Sequence, residues 1–466
     1  MITVTTAHEM HYDFPMPRLV TTISSSLIPN NSICLKRSQS LLSKVVYRHS
    51  TKGGASRIVP SSTASVGGLL RRTLRDITRN GKGWILITVA GGWFLSIGVR
   101  YIYPSMIPFF RDTFGMDLMV AGILLSSLWF AYAFGQFPGG ILGDRIGEGR
   151  ILAVSTALSA VALLIVSSSI TIGLVFIGTI LFGFASALYA TTRFTIFTDI
   201  YPDRSGTAVG LTMACGSIGN TVLPPVAVSI GSYLTWRAGF GFLVPLFILS
   251  TLAIIIAVPN RTSTTAVNEV ESITWETVRR LLSSATIHGI PVVVLVHILL
   301  SFASHGFLGF YPTYLIDVKG FSAQTAAIIF GMYFAFGIVL QPIIGIAKDR
   351  FGSKLTLGLI ASTFFIGLAA VQFGETLLHF VIITVFLSNR NGLGVVTNTY
   401  IADALPDDIK GSGLGMLRTV WQFVGATSPV FVGFLGALGH LNTAFIVLAA
   451  IAAITIVLTV FVPSGN

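Results

Sequence analysis

Long apolar stretches, separated by short charged or glycine-rich turns, recur along the chain from Trp84 onward. Each stretch is long enough to cross a hydrocarbon layer of about 30 Å, which takes about 20 residues of α-helix. Backbone polar groups must be satisfied within lipid, so spans of this kind are helical. The sequence therefore predicts an all-α membrane protein with twelve transmembrane helices, at residues 84–109, 118–141, 150–169, 172–199, 206–231, 238–258, 289–312, 323–346, 354–373, 376–402, 411–436 and 441–462.

Two polar segments between these spans occur twice, about 205 residues apart. The first is Gly140-x-x-x-Asp144-Arg145-x-Gly147, which returns as Gly345-x-x-x-Asp349-Arg350-x-Gly352. The second is Asp199-x-x-Pro202-Asp203, which returns as Asp403-x-x-Pro406-Asp407. Two similar sets of membrane helices are typical of secondary transporters. The predicted parts are a mostly disordered basic tail, a six-helix bundle, a linker containing an amphipathic helix, and a second six-helix bundle, at residues 1–83, 84–259, 260–288 and 289–466.

The composition excludes a soluble globular protein of this length, because 53% of the residues are hydrophobic and only 10% are charged. Most of the net charge of +11 lies in residues 1–83, where twelve Lys or Arg face three acidic residues and leave +9. Such a tail can contact anionic lipid headgroups. No folded basic module is visible, so nucleic-acid binding is not expected. The two cysteines, Cys34 and Cys215, predict neither a disulfide nor a metal site.

The distribution of basic residues between the loops predicts the orientation in the membrane. The side that holds both Asp-Arg turns carries ten Lys or Arg in its loops, whereas the opposite side carries only Arg111, Arg237 and Lys319. The positive-inside rule then places both turns and both termini in the cytoplasm. We expect a multi-pass protein of the cell membrane.

The first polar segment resembles the loop between the second and third helices of the major facilitator superfamily (MFS), which carries Gly-x-x-x-Asp-Arg-x-Gly followed by basic residues. The second copy and Trp236-Arg237-x-x-Phe240 also resemble features of that family, and the resemblance covers about residues 84–462. It implies two pseudo-symmetric six-helix bundles that rock to expose a central cavity alternately to each side. It also implies a gating role for the turns; the alternative is that their residues only anchor helix ends. The candidate gating residues are Gly140, Asp144, Arg145, Gly147, Asp349 and Arg350.

Four arginines fall inside predicted spans: Arg100, Arg193, Arg390 and Arg418. An arginine at the bilayer centre costs about 2.5–3.5 kcal/mol on insertion scales unless it faces water or a partner. No Asp or Glu lies deep in any predicted span, so a bound anion would supply the missing negative charge. The planar guanidinium suits carboxylate, phosphate or sulfate. For Arg193 a structural role near Asp199 remains equally open, and for Arg418 a structural role is favoured.

Other polar residues within the spans complete the candidate site. His297, Ser301 and His305 lie on one face of the seventh span, and in the family that span borders the cavity together with the first, fourth and tenth. Histidine titrates near neutral pH and is the candidate carrier of a coupling proton; hydrogen bonding between helices is the alternative. Three asparagines cluster near Arg390. The predicted substrate-binding residues are Arg100, Arg193, Arg390, His305, His297, Asn389 and Tyr101.

These features predict a monomeric secondary transporter that moves a small organic anion by alternating access, coupled to protons, without cofactor or metal. An MFS efflux pump for drugs or cations is the first alternative, but that class usually relies on membrane-embedded Asp or Glu. A membrane sensor or scaffold that does not transport is the second, although the tail contains no recognisable interaction domain. No phosphate-binding loop, metal motif or nucleophile motif supports an enzyme.

Overall fold

The structure is a computed structural model that describes residues 82–261, 289–405 and 410–463. The predicted tail up to residue 81 and the predicted amphipathic helix of the linker lie outside the described residues. Within them the chain forms thirteen α-helices: α1 Lys82–Phe114, α2 Leu118–Ile146, α3 Glu148–Ser167, α4 Ile172–Ile200, α5 Ser205–Tyr233, α6 Trp236–Gly241, α7 Leu243–Ala257, α8 Ile290–Asp317, α9 Ala323–Ala370, α10 Leu377–Ser388, α11 Leu393–Ala404, α12 Lys410–Ala437 and α13 Leu441–Thr459. Two short 3-10 helices, Pro202–Arg204 and Asn389–Gly392, connect α4 to α5 and α10 to α11.

The helices account for the twelve predicted membrane crossings, although two of the predicted spans lie within one helix. Eleven helical segments of the described chain are long and apolar enough to span a membrane. One of them, α9, has 48 residues and contains both predicted spans 323–346 and 354–373. At about 1.5 Å per residue it is about twice as long as one crossing needs. Gly352 interrupts it with non-helical backbone angles, so α9 is two consecutive spans and the number of crossings is twelve.

Glycines with positive φ break the helices at both copies of the Asp-Arg turn. Gly147 has φ +105° between α2 and α3, and Gly352 has φ +80° within α9. Residues with a Cβ rarely adopt this region of φ/ψ space. A Cβ on Gly147 would also lie 2.3 Å from the carbonyl oxygen of Asn260. The positive φ therefore explains why a glycine occurs at both positions of the repeat.

Close helix packing joins the two halves of the chain at one end of the bundle, which we call the sealed end. There α2 packs on α12 so tightly that a Cβ on Gly122 would lie 2.4 Å from the Pro429 carbonyl oxygen. Helix α5 packs on α9, and the Ser229 hydroxyl lies 2.9 Å from Gln324 Oε1. Arg111, near the end of α1, forms a salt bridge with Asp317 at the end of α8. Small residues at such contacts let helix backbones approach closely.

The opposite end of the bundle contains the two Asp-Arg turns, and we call it the turn end. Contacts described there join elements of the same half. The Lys82 ammonium donates to the Ile200 carbonyl at 3.0 Å in the first half. In the second half the Lys348 ammonium lies 4.0 Å from the Asp403 carboxylate. Each of these two contacts joins elements of one half, unlike the packing at the sealed end.

Candidate functional site

A cavity of about 320 Å³ lies between the two halves of the chain. Helices α1, α2, α4 and α5 of the first half line it, and so do α8, α11, α12 and the 3-10 helix Asn389–Gly392 of the second half. All four arginines predicted within the spans line this cavity: Arg100, Arg193, Arg390 and Arg418. Among the described residues, none that lines the cavity is acidic and none of these four arginines forms a salt bridge.

Arg100 projects from α1 and is 3% exposed. Its guanidinium carbon lies 4.1 Å from the ring centre of Tyr132 and 5.6 Å from that of Trp129, both on α2. Cations are attracted to the faces of aromatic rings. The Nε and Nη2 atoms of Arg100 are buried without a hydrogen-bond partner in the described structure. Aromatic side chains therefore hold this cation and leave part of its N–H fork unused.

Arg193 projects from α4 and is 2% exposed. Its guanidinium carbon lies 3.4 Å from the ring centre of Trp93 and 4.2 Å from that of Phe194. Nη2 lies 3.3 Å from the sulfur of Met213, while Nη1 is buried without a hydrogen-bond partner in the described part of the chain. The alternative left open by the sequence was a structural role near Asp199. The contacts made by Arg193 are instead aromatic rings and a thioether.

Arg390 comes from the second half, where the 3-10 helix Asn389–Gly392 interrupts α10 and α11. Its Nη2 donates to the Ser301 hydroxyl of α8 at 3.2 Å, and its Nε is buried without a partner in the described structure. Asn391 lines the cavity beside it, whereas Asn389, which the sequence favoured, is outside the set of lining residues. A 3-10 helix has about three residues per turn, so the side chains here do not follow α-helical spacing.

Arg418 lines the cavity from α12, although the sequence favoured a structural role for it. It is exposed, unlike Arg100 and Arg193. Depth along a helix can be read from sequence, but the direction in which the side chain points about the helix axis cannot.

The two predicted histidines line the cavity from α8, together with Ser301. His297 lies 2.7 Å from the Thr397 hydroxyl, and its ring stacks on Trp421 at 3.9 Å between ring centres. His305 Nδ1 lies 2.8 Å from the Ser301 carbonyl oxygen. Because a carbonyl only accepts, Nδ1 of His305 carries a proton. Its Nε2 is the nitrogen that could gain a second one, and it lies 3.5 Å from the side-chain nitrogen of Gln422.

Aromatic residues form much of the remaining wall. Tyr101, a predicted substrate contact, lines the cavity and packs on Phe334 of α9 at 4.4 Å between ring centres. Trp129 meets the ring of His305 edge-on at 4.9 Å, which connects the two halves. The predicted site did not include Trp93, Trp129, Tyr132 and Trp421. Aromatic residues in membrane helices mostly pack or anchor at interfaces, so only contacts in the folded structure distinguish these four: Trp93, Trp129 and Tyr132 lie near arginine, and Trp421 stacks on His297.

The candidate gating residues lie apart from the cavity, at the turn end. Gly140, Asp144 and Arg145 belong to the last part of α2, and Arg145 is exposed. Asp349 has a side-chain exposure of 79% and lies 3.9 Å from Lys348; Arg350 is also exposed. The gating role stays a prediction, and these residues are not among those that line the cavity.

Comparison with known families identifies relatives over most of the chain. The sequence profile described as Major Facilitator Superfamily matches residues 89–396 and 293–465. A probable sulfoacetate transporter, SauU from Cupriavidus necator, is 25% identical over 356 residues, which cover 70% of this chain and 81% of the relative. A probable galactarate/D-glucarate transporter, GudP from Escherichia coli, is 22% identical and covers 73% of this chain and 84% of the relative.

Solved structures agree with the fold. The nucleoside transporter NupG superposes with a TM-score of 0.70 at 15% identity, covering 83% of this chain and 100% of that chain. A bacterial homologue of the human lysosomal transporter Spinster, in an inward-facing unoccupied conformation, gives a TM-score of 0.69 at 13% identity, covering 83% and 97%. The predicted all-α fold of twelve membrane helices is confirmed.

Proposed function

The chain belongs to the Major Facilitator Superfamily, and we propose that it is a secondary transporter that moves a small organic anion across the membrane by alternating access. We infer an anionic substrate from one observation: four arginines line a central cavity that has no acidic side chain among its described lining residues. Arginine in a membrane interior needs water or a partner, and its fork matches carboxylate, phosphate and sulfate geometry. A bound anion satisfies both conditions.

The relatives named above support this choice, because their names describe transporters of organic anions. The same cavity argues against export of a lipophilic cation. A cation entering it would meet four positive charges without a carboxylate to offset them, and like charges repel strongly where water is scarce. We also propose that the protein acts as a monomer, because one chain contains the cavity, the candidate gate and both bundles.

The test of the cargo is a panel of ligands applied to the protein purified in detergent. Carboxylates, organophosphates, inorganic anions and lipophilic cations are compared by thermal shift, and every compound that stabilises the protein is then tested for uptake into proteoliposomes. The proposal expects organic anions to stabilise the protein and to be taken up. Stabilisation and transport of lipophilic cations alone would overturn it.

We propose that a proton accompanies the anion through His305. His305 lines the cavity together with Arg390, so a positive charge on its ring would be repelled by the arginines. A bound anion removes that penalty, so protonation and anion binding strengthen each other. We expect an inward proton gradient to drive accumulation in the wild type and His305→Gln to abolish gradient-driven accumulation while exchange of anion for anion continues. Undiminished accumulation in the variant excludes His305 as the carrier.

The proposed orientation places the turn end and both termini in the cytoplasm, with the sealed end outside. Cysteine labelling tests it. In a background without Cys34 and Cys215, Ser322→Cys marks the sealed end and Ser353→Cys marks the turn end. A membrane-impermeant maleimide added to intact cells should label position 322 and spare position 353 until the cells are opened. The reverse pattern contradicts the orientation.

The gating role of the turns is tested by Asp144→Asn. Loss of one charge in a latch should slow the change between the two conformations and leave equilibrium binding of the anion close to the wild-type value. We expect the transport rate to fall about tenfold or more, as for a charge interaction of about 1.4 kcal/mol. An unchanged rate would leave the turn with only a structural role.

A further inference from the structure

The arginines of the cavity form two groups, one in each half of the chain. Arg100 and Arg193 belong to α1 and α4 of the first half, and Arg390 and Arg418 belong to the second. Unused N–H groups occur on both sides: Nε and Nη2 of Arg100 and Nη1 of Arg193 on one, and Nε of Arg390 on the other. Buried donors of this kind are normally satisfied in a folded protein, so each side requires an acceptor.

The first group is held rigidly by aromatic rings. Trp93 contacts both of its members, with its ring centre 3.4 Å from the guanidinium carbon of Arg193 and 5.4 Å from that of Arg100. Tyr132 and Phe194 cover the two guanidinium groups at 4.1 Å and 4.2 Å. Rings that cover the guanidinium faces leave only the N–H edges to bind a ligand. The first group therefore forms a preorganised site for one acidic group.

The second group is held by polar contacts. Nη2 of Arg390 donates to the hydroxyl of Ser301, and Nδ1 of His305 donates to the carbonyl oxygen of the same serine. Ser301 thus fixes the histidine and the arginine relative to each other. Nε of Arg390 remains for a ligand, whereas Nε2 of His305 lies 3.5 Å from the side-chain nitrogen of Gln422. Arg418 adds a further positive charge to this side of the cavity. The second group therefore forms a separate site for another acidic group.

We infer that the cargo is a dianion with acidic groups at both ends of a short carbon chain, one bound by Arg100 and Arg193 and the other by Arg390. This rests on the proposed function. A ligand with one acidic group neutralises one half and leaves the other with unsatisfied donors. A ligand with two acidic groups joins the halves, and closure of the cavity around it is favoured only when both ends are bound. The cavity volume of about 320 Å³ fits a compact molecule of this kind.

The test compares dicarboxylates with their own monomethyl esters, which keep the chain and remove one charge. Succinate, glutarate, adipate, each monomethyl ester and a set of monocarboxylates of similar length are measured by thermal shift and by competition against uptake of the anion found in the first panel. In the wild type we expect the best dicarboxylate to compete at least tenfold better than its monoester and than any monocarboxylate.

Two variants test whether Arg390 binds the second acidic group of the ligand. Arg390→Gln should reduce the preference for diacid over monoester to twofold or less, because the charge that reads the second acidic group is lost. Arg390→Lys keeps the charge and should keep most of the preference. Arg150→Gln is the matched control, since Arg150 is exposed and outside the cavity, and it should behave like the wild type. Elution as a single monodisperse peak shows that each variant is folded.

The outcomes separate this inference from the proposed function. A monoester or monocarboxylate that competes as well as the best diacid overturns the dianion and leaves anion transport standing. A diacid preference unchanged in Arg390→Gln overturns the assignment to the two halves. Failure of every anion to bind, or binding of lipophilic cations alone, overturns the inference and the proposed function together.

Discussion

The sealed end and the central cavity both contain basic residues, and they differ in what surrounds them. At the sealed end the protein provides an oxygen acceptor for each of three cations: Asp317 for Arg111, the Ser169 carbonyl for Arg237 at 2.8 Å and the Gln372 carbonyl for Lys319 at 2.8 Å. In the cavity Arg100 and Arg193 lie against aromatic rings and keep unused N–H groups. The chain therefore can provide oxygen acceptors for its cations, and around Arg100 and Arg193 it provides aromatic rings instead.

This difference points to binding, because a side chain that only stabilises the fold gains from having all its donors satisfied. An unsatisfied buried donor costs about 1–3 kcal/mol, more when it is charged. Such a cost persists at sites where a ligand completes the arrangement. The aromatic rings hold the guanidinium groups in place while leaving their positive charge uncancelled. The cavity is thus preorganised for an anion before the anion arrives.

Removal of a cavity arginine should have the largest effect. We expect Arg100→Ala or Arg390→Ala to lower uptake in proteoliposomes by about 100-fold or more, as for loss of a charge-assisted interaction worth about 3 kcal/mol. Arg150→Ala, at an exposed position in the first turn of α3, serves as the control and should keep wild-type uptake. Wild-type uptake in both cavity variants would remove these arginines from the site.

Adding a carboxylate to the cavity should make it resemble the sealed end. Met213 is the position, because its sulfur lies 3.3 Å from Nη2 of Arg193. Met213→Glu would give Arg193 an internal partner and repel an anionic cargo, so we expect anion binding to weaken by about ten- to 100-fold. Met213→Gln has nearly the same size without the charge and should weaken binding by less than about threefold. Equal effects of the two substitutions would show that shape, and not charge, determines binding.

Replacing an aromatic ring keeps the charges and removes the support that orients them. Trp93→Leu deletes the indole that contacts Arg193 and Arg100. A desolvated cation–π contact contributes up to about 2 kcal/mol, so we expect anion affinity to fall by about three- to 30-fold. Trp84→Leu is the control, since Trp84 is 70% exposed and outside the cavity. An unchanged affinity in Trp93→Leu would mean that the rings only fill space.

The ion pair of the sealed end should matter least. Arg111 and Asp317 each have a side-chain exposure of 30%, and such pairs contribute about 0.2–1 kcal/mol. Asp317→Asn should therefore change the transport rate by less than about fivefold, with a smaller effect at high salt, and leave anion affinity unchanged. A double-mutant cycle with Arg111→Gln measures the coupling. Loss of anion affinity in either variant would show that the ion pair belongs to the binding site.

The fold could be read from the sequence because membrane spans are long and uniformly apolar, and because the turn around Asp144 recurs at Asp349. The break at Gly352 was predicted too, because the second Asp-Arg turn lies between spans 323–346 and 354–373, and in the structure the backbone angles at Gly352 separate these spans. The family resemblance supplied the arrangement of helices around a cavity. Spacing along the chain cannot supply it, because contacts between spans depend on distant residues.

The site could be predicted in part. Arg100, Arg193 and Arg390 were found because charge is rare in apolar helices, and all three line the cavity. Asn389 was predicted to line the cavity because it is next to Arg390 in sequence. In the 3-10 helix Asn389–Gly392, it is Asn391 that lines the cavity beside Arg390. Arg418 was assigned a structural role from its depth alone. The tryptophans were missed because only the folded structure shows which aromatic rings lie against a guanidinium group.

The most direct measurement is an experimental structure of the protein at saturating concentration of the anion that it transports. The account predicts acidic oxygens within about 3.2 Å of guanidinium nitrogens of both Arg100 and Arg390, with the ligand spanning the two halves. An anion bound away from both arginines, or guanidinium groups that turn to acceptors of the protein while the anion is bound, would contradict it.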